Sequence, residues 1–95
     1  MKRLGNRLKV YARCDESGTS LLERKRILAG LSTLMLAKAA GISRNSVWRL
    51  ERNHHGQAIR PDTALRILKA LSNRLETLGE KAYTFEDLFE LRNES

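Results

Sequence analysis

The sequence predicts an all-α domain of five helices, preceded by a basic N-terminal extension. The 95 residues are enough for one small domain. Aromatic residues make up only 5% of the chain, so small and aliphatic side chains must fill the core, which suits packed helices. Ser20, Ser32 and Ser43 each stand where a helix could begin, and serine is a favoured N-cap.

The first three predicted helices are short and closely spaced. A Ser-Leu-Leu-Glu capping box opens a helix over about residues 20–29. A second helix is predicted over 32–40. Gly41 follows at the position where helices often end with a residue in the left-handed conformation, which glycine adopts most easily. A third helix is predicted from residue 44 to about residue 52, with Val47 and Leu50 facing inward. Two short helices joined by a glycine turn are typical of a helix-turn-helix that reads DNA, here over about 32–52.

Two more helices are predicted after the motif. Pro61 suits the first turn of a helix that reaches about Leu75 and has an apolar face. A loop around Gly79 follows. Apolar residues at 85, 88 and 89, after a box-like start at Thr84, predict a fifth helix over about 84–92. This helix would either close the domain or form a dimer contact.

The third helix carries side chains that suit the major groove. Arginine can bond two acceptors of guanine, and asparagine can bond adenine in the same way. The N-terminal half of such a helix is the part that enters the groove. The candidate base-reading residues are Arg44, Asn45, Ser46 and Arg49.

Charge is distributed unevenly along the chain. The formal net charge is +7, but residues 1–75 hold 16 Lys/Arg and 5 Asp/Glu, whereas residues 76–95 hold 2 Lys/Arg and 6 Asp/Glu. The basic part contains the third helix, as neutralisation of phosphates would require. We therefore expect double-stranded DNA as the partner.

The N-terminal extension, residues 1–19, has two interpretations. Residues 1–13 hold five basic residues and no acidic one. Leu8, Val10 and Ala12 alternate with charged or polar residues, which is the period of a strand. The segment is either a short β-strand, paired with another chain or with an unidentified second strand, or a disordered DNA-binding arm.

The chain resembles the Cro/lambda-repressor-like (XRE) helix-turn-helix family over about residues 20–71. The matching positions are Arg26, Gly30-Leu31-Ser32, Leu36-Ala37, Gly41-Ile42-Ser43, Glu51, Pro61, Thr63, Ile67 and Ala70-Leu71. The resemblance implies a compact lambda-repressor-like fold and sequence-specific binding of double-stranded DNA. It also implies that Arg44, Asn45 and Arg49 occupy base-reading positions.

Further residue roles follow from the same resemblance and from the predicted helix ends. The family commonly pairs an arginine of helix 1 with a glutamate of helix 3, which corresponds to Arg26 and Glu51 here. The start of helix 2 resembles a phosphate-clamping position, and a helix N-terminus attracts anions. The candidate phosphate-binding residues are Ser32, Thr33, Ser43, Arg52 and Asn53.

The chain departs from the family pattern at three places. Leu34 and Met35 replace residues that are usually polar, which indicates a patch covered by the N-terminal segment or by a partner. The loop over 53–60 is longer than the common form. Trp48 stands where a small or polar residue is usual. It would pack on that loop, touch a thymine methyl or sugar, or join a dimer patch, and we favour packing.

We expect a small transcriptional regulator, most simply a repressor, that acts as a homodimer. The alternatives are an antitoxin that binds a toxin and represses its own operon, and a protein-interaction module without DNA binding. No catalytic set, phosphate loop or metal-ligand spacing is apparent, and His54 and His55 are adjacent without other ligands, so we expect neither an enzyme nor a cofactor or metal. The lone Cys14, with no secretory signal or membrane span, favours the cytoplasm.

Overall fold

The computed structural model describes residues 7–52 and 58–94, which form four α-helices and a two-stranded sheet. The elements in chain order are β1 (Arg7–Ala12), α1 (Leu21–Leu28), α2 (Thr33–Ala40), α3 (Arg44–Glu51), α4 (Pro61–Thr77), a single-turn 3-10 helix (Phe85–Asp87) and β2 (Phe89–Glu94). None of the helices in these two ranges is long and apolar enough to cross a membrane.

Serine caps begin the first three helices. The hydroxyl oxygens of Ser20, Ser32 and Ser43 each accept a hydrogen bond, 3.0 Å long, from the backbone N–H three residues later. Each cap satisfies one of the amides that a helix leaves unpaired at its first turn. Gly41 ends α2 with a φ of 71°, in the left-handed region that glycine adopts without strain. The turn therefore has the conformation that its sequence predicts.

The core lies where α2, α3 and α4 meet. Leu36 of α2 and Val47 of α3 are fully buried, as are Ile67 and Leu71 of α4. α4 begins at Pro61, as predicted, and continues to Thr77, two residues beyond the expected end. The long helix thus supplies the surface on which the helix-turn-helix rests.

The predicted fifth helix over 84–92 is wrong. Only the 3-10 turn at Phe85–Asp87 is helical, and Phe89–Glu94 forms β2. Phe89 lies opposite Ala12 of β1 in an antiparallel pair, and its side chain is fully buried. The spacing of the apolar residues fitted a helix, but pairing satisfies backbone groups of both β1 and β2 and buries Phe89, so tertiary structure overrides the local pattern.

Of the two interpretations of the N-terminal segment, the strand is the one found over Arg7–Ala12, while residues 1–6 lie outside the described residues. β1 pairs with β2 of its own chain, from Arg7 opposite Glu94 to Ala12 opposite Phe89. Val10 and Tyr11 are both 3% exposed, so this part of the predicted extension belongs to the core. The carbonyl of Val10 also accepts a 2.7 Å hydrogen bond from the N–H of Ile59, which ties β1 to the segment before α4.

A tight turn around Asp15 connects the sheet to α1. One carboxylate oxygen of Asp15 accepts hydrogen bonds from the N–H groups of Ser17 and Thr19, at 2.9 and 3.0 Å, and from the Ser17 hydroxyl at 2.7 Å. The other oxygen pairs with Arg24. These contacts, the Ser17 hydroxyl foremost, stabilise the ionised form and lower the pKa of Asp15 from 3.8 to about 2.

Candidate nucleic-acid interface

A buried ion pair fixes α3 against the two preceding helices. The Nε and Nη2 atoms of Arg26 donate to the two carboxylate oxygens of Glu51, at 2.6 and 3.1 Å. The Nη1 atom donates to the carbonyl of Leu31, 2.9 Å away, in the connection to α2. Glu51 is only 1% exposed, and both of its oxygens are satisfied. The guanidinium of Arg26 thereby links α1, the start of α2 and the last turn of α3.

This anchoring leaves one face of α3 in solvent. Val47 points into the core, while Arg44, Asn45 and Arg49 are exposed and Ser46 is half-buried. Within the described part of the chain, neither of these two arginines forms an ion pair with an acidic side chain. Their guanidinium groups are therefore available to the acceptors of a ligand.

Two shallow depressions flank this face. The first is lined by Thr33 of α2 and by Arg44, Asn45 and Trp48 of α3, so the start of α2 and the predicted base-reading positions share one surface. Thr33 is half-buried there, which places a predicted phosphate-binding residue beside two predicted base-reading residues. Side chains from both helices of the helix-turn-helix would thus meet the same ligand.

The second depression lies between α3 and the start of α4. Its lining residues are Ser46, Arg49, Leu50, Ala58, Ile59, Arg60 and Thr63. Arg60 and Thr63 are site candidates that the sequence reasoning missed. The sequence feature that could have indicated them is the helix that begins at Pro61, since its first turn lies beside α3. Arg60 is the N-cap of this helix and is exposed. Arg60 adds a third cation to the surface formed by Arg44 and Arg49.

The predicted phosphate-binding residues occupy several positions around this surface. Ser32 and Ser43 are exposed, and their hydroxyl oxygens cap α2 and α3. Arg52 follows the end of α3, and its guanidinium carbon lies 4.9 Å from the ring centre of Trp48, a cation–π contact. The fifth residue, Asn53, lies outside the described residues, as do His54 and His55.

Two of the three departures from the family pattern, Leu34–Met35 and Trp48, lie on the surface. Leu34 and Met35 are 46% and 48% exposed, so they are not the extra core that a covering N-terminal segment would have made. The reason is that β1 pairs with β2, on another part of the fold. Trp48 is 51% exposed, and its partner in the described chain is Arg52. The loop on which it was expected to pack includes residues 53–57, which lie outside the described residues.

Comparison with known proteins establishes the class of this chain. A family model described as helix-turn-helix matches residues 22–78, which is more than half of the sequence. The chain therefore belongs to the Cro/C1-type (XRE) helix-turn-helix family, a family of DNA-binding regulators. No curated protein and no solved structure matches it significantly. The family match spans α1 to α4, so the exposed face of α3 described above is part of the matched domain.

Proposed function

We propose that this protein binds a specific sequence of double-stranded DNA by inserting α3 into the major groove. The observation that carries the proposal is a helix held by a buried ion pair and exposing Arg44, Asn45 and Arg49 on its free face. The two arginines suit guanine edges, and Asn45 suits adenine. Ser46 lies between them and is small enough to permit close approach to a base. These four residues would set the sequence that is read.

Phosphate contacts would set affinity and register. Ser32 and Thr33 lie at the N-terminus of α2, where unpaired N–H groups favour an anion. Ser43 has the same position on α3, and Arg52 and Asn53 follow its C-terminal end. Contacts of this kind orient a protein on DNA without reading its sequence.

Trp48 is proposed to contact a thymine methyl group or a sugar. Its indole lines the same depression as Arg44 and Asn45, and half of it is exposed. An exposed indole beside base-reading residues offers an apolar surface to a methyl group. Arg52 above the ring would carry a phosphate contact next to it.

The biological act is proposed to be repression of transcription in the cytoplasm by occlusion of a promoter. One module of this size makes few phosphate contacts and binds weakly. A homodimer on a pseudo-palindrome, with half-sites about 10 bp apart, would restore affinity. No cofactor is needed for this mechanism.

One observation favours a second candidate, an antitoxin that holds a toxin and represses its own operon. Leu34 and Met35 form an apolar pair on the surface of α2. A toxin bound there would cover them. Co-purification of a toxin encoded beside this chain, lost in a Leu34→Glu–Met35→Glu variant, would support this candidate. Equal co-purification with the unaltered chain and with this variant would mean that the toxin binds a surface other than Leu34 and Met35.

Selection of bound sequences from a random DNA pool tests the proposal, followed by measurement of affinity over a salt series. We expect a pseudo-palindromic winner that binds far more tightly than random DNA and loses affinity steeply with salt. Binding without sequence preference would contradict the reading role of α3. No binding at low salt would contradict the DNA function and favour a protein-interaction module.

Substitution of the reading arginines sharpens the same test. Arg44→Ala or Arg49→Ala should each cost about 1–3 kcal/mol on the selected site and relax preference at one base position. Lys69→Ala on α4, also exposed, is the matched control for loss of one positive charge. An equal loss on selected and random DNA would assign these arginines to phosphates instead.

A further inference from the structure

The outer edge of β2 is open in the described part of the chain. The sheet has two strands, and β2 pairs with β1 along one side only. A strand edge of this kind presents a row of backbone N–H and C=O groups that another strand can bond. Which groups point outward, and which side chains flank them, decides what the edge can accept.

The hydrogen-bond alternation of the sheet shows which backbone groups of β2 face outward. The Val10 carbonyl bonds Ile59, so the backbone groups of Val10 point away from β2. Val10 lies opposite Leu91, which makes this a non-hydrogen-bonded pair. The Arg13 N–H bonds the Leu88 carbonyl at 2.9 Å, as the alternation requires. The N–H and C=O of Leu91 therefore point out of the sheet, away from β1.

The side chains of β2 alternate between the two faces of the sheet. Leu91 lies on the same face as the buried Phe89, yet it is 54% exposed. Leu8 of β1, a diagonal neighbour on that face, is 57% exposed. Glu90 and Arg92 lie on the opposite face, where the Nη2 atom of Arg92 is 2.6 Å from a carboxylate oxygen of Glu90. The edge thus combines an apolar centre with one charge of each sign.

We propose that β2 pairs in antiparallel fashion with β2 of a second copy of this chain, about a two-fold axis at Leu91. The outward N–H and C=O of Leu91 would exchange two hydrogen bonds with the same groups of the partner. The result is a four-stranded sheet with β1 on both outer sides. The proposal deepens the proposed homodimer by naming its surface.

Charge complementarity favours a second copy over any other occupant. With Leu91 opposite its own copy, Glu90 lies opposite the partner's Arg92, and Arg92 lies opposite the partner's Glu90. Opposite charges directly across two strands are favourable, and the two-fold axis produces this pair twice. The two leucine side chains meet on the other face, where each covers apolar surface that is exposed in a single chain.

A charged strand edge can also serve to prevent association. Natural edges that do so carry inward charges, proline or a bulge, or repeated lysine. The residues whose backbone groups point away from β1 are Phe89, Leu91 and Asn93. None of them is charged, and Glu90 and Arg92 have opposite signs. The Phe89 carbonyl accepts a bond from Arg13 Nε, but a carbonyl oxygen has a second acceptor site. This edge is therefore complementary to itself rather than repellent.

Two single variants of the full chain test the pairing, because each is self-repelling and the two are mutually complementary. Glu90→Arg places arginine opposite the partner's Arg92, and Arg92→Glu places glutamate opposite the partner's Glu90. Each should weaken the homodimer roughly tenfold, since two favourable pairs become unfavourable. An equal mixture should restore dimers, all of them mixed. Sedimentation of each protein and native mass spectrometry of the mixture measure this without DNA.

A third variant keeps the test decisive if Arg92→Glu fails to fold, since Arg92 also lies 4.2 Å from the ring centre of Tyr11. Leu91→Lys alters an exposed residue, brings two lysines together at the axis, and should give a folded monomer. Glu86→Arg, on the exposed side of the 3-10 turn, is the control and should dimerise as the unaltered chain does. Circular dichroism melting checks that each variant is folded.

The outcomes separate this surface from the DNA function. A chain that remains monomeric at high micromolar concentration would overturn the proposal, as would variants at 90 and 91 that dimerise with unaltered Kd. Leu91→Lys should bind a single half-site as tightly as the unaltered chain and should lose only the extra affinity for two half-sites. A dimer disrupted as described, in a chain that binds no DNA, would preserve this interface and refute the proposed function.

Discussion

The helix-turn-helix and the sheet are built in opposite ways. Helices α1 to α3 are each started by a serine that bonds an amide three residues away, and Gly41 forms the turn between two of them. The sheet instead joins β1 and β2, which come from opposite ends of the described chain. Neither strand has a partner until the other is in place. The helix-turn-helix is therefore formed by local signals, whereas the closure of the core depends on a distant pairing.

The two regions are also stabilised by different forces. The helix-turn-helix contains the buried, fully hydrogen-bonded Arg26–Glu51 pair, whose main effect is to fix the orientation of α3. The sheet contributes apolar packing, with Phe89 the largest of the fully buried side chains. A buried ion pair need not add net stability, whereas a buried phenyl ring does. We expect loss of the sheet contact to cost more than loss of the ion pair.

Phe89→Ala should have the largest effect on the whole molecule. Removal of a fully buried phenyl ring costs about 3–5 kcal/mol, which is much of the stability of a small domain. Because this ring belongs to the same core as Leu36 and Val47, the helices should unfold in the same transition as the sheet. Urea unfolding followed by far-ultraviolet circular dichroism measures the change in the free energy of unfolding.

Leu91→Ala is the matched control for this comparison, because its side chain is on the same strand and face but is half exposed. At concentrations low enough to keep the chain monomeric, it should change stability by about 0.5 kcal/mol or less. A Phe89→Ala protein whose helices melt at the original midpoint would show that the helix-turn-helix folds without the sheet. That result would make the two regions independent.

Glu51→Ala should have the next largest effect, and it should act on the other region. The substitution leaves the guanidinium of Arg26, whose side chain is 12% exposed, without its carboxylate, at a cost of about 3 kcal/mol. We expect a lower melting temperature, and a smaller effect on specificity, seen as a broader base preference of the folded protein. An unchanged melting temperature would show that the pair does not stabilise the fold.

A double substitution separates the loss of the pair from the cost of an orphaned charge. Arg26→Met combined with Glu51→Leu removes both charges and fills similar volume, so it should recover most of the stability that Glu51→Ala loses. If the orientation of α3 depends on the pair, the double variant should still show a broader base preference. A double variant as selective as the original chain would limit the pair to a structural role.

The same contrast explains what the sequence could and could not predict. The serine caps and the glycine turn are short-range patterns, and they predicted α1, α2 and α3 to within about a residue at each end. The contact between Arg26 and Glu51 joins residues far apart in the chain. Only the resemblance to the XRE family suggested it, since spacing alone does not show that two distant charges meet.

The second strand was missed because a local pattern competed with a distant one. Thr84 and Asp87 do form a capping arrangement, in which the Thr84 N–H donates to the Asp87 carboxylate at 2.8 Å, but it opens only one 3-10 turn. The signal for β2 was present in the alternation of Phe89 and Leu91 with charged residues. It became meaningful only with β1 as a partner. The sequence could not predict the exposure of Leu34 and Met35 for a similar reason, because that exposure depends on where β1 lies in the fold.

The turn that joins the two regions gives the smallest of the expected effects, and it is sensitive to pH. Asp15 begins the connection from β1 to α1, and its pKa is lowered from 3.8 to about 2. A carboxyl group whose pKa is lower in the folded chain than in the unfolded chain stabilises the fold. This stabilisation is complete at pH values above the pKa that the group has in the unfolded chain. This contribution is lost as the pH falls from about 4 toward 2.

Asp15→Asn should therefore lower the melting temperature slightly at pH 6 and have almost no effect at pH 2. Asparagine keeps an oxygen that can accept the bonds from Ser17 and Thr19, but it removes the charge that pairs with Arg24. Thermal unfolding of both proteins at several pH values gives the difference, and Glu16→Gln, exposed in the same turn, is the control. A difference that stays constant down to pH 2 would mean that the ionised carboxylate of Asp15 is not its source. No difference at any pH would mean that the turn does not couple to folding. The connection between the two regions would then be a passive loop, and their cooperation would rest on the core packing alone.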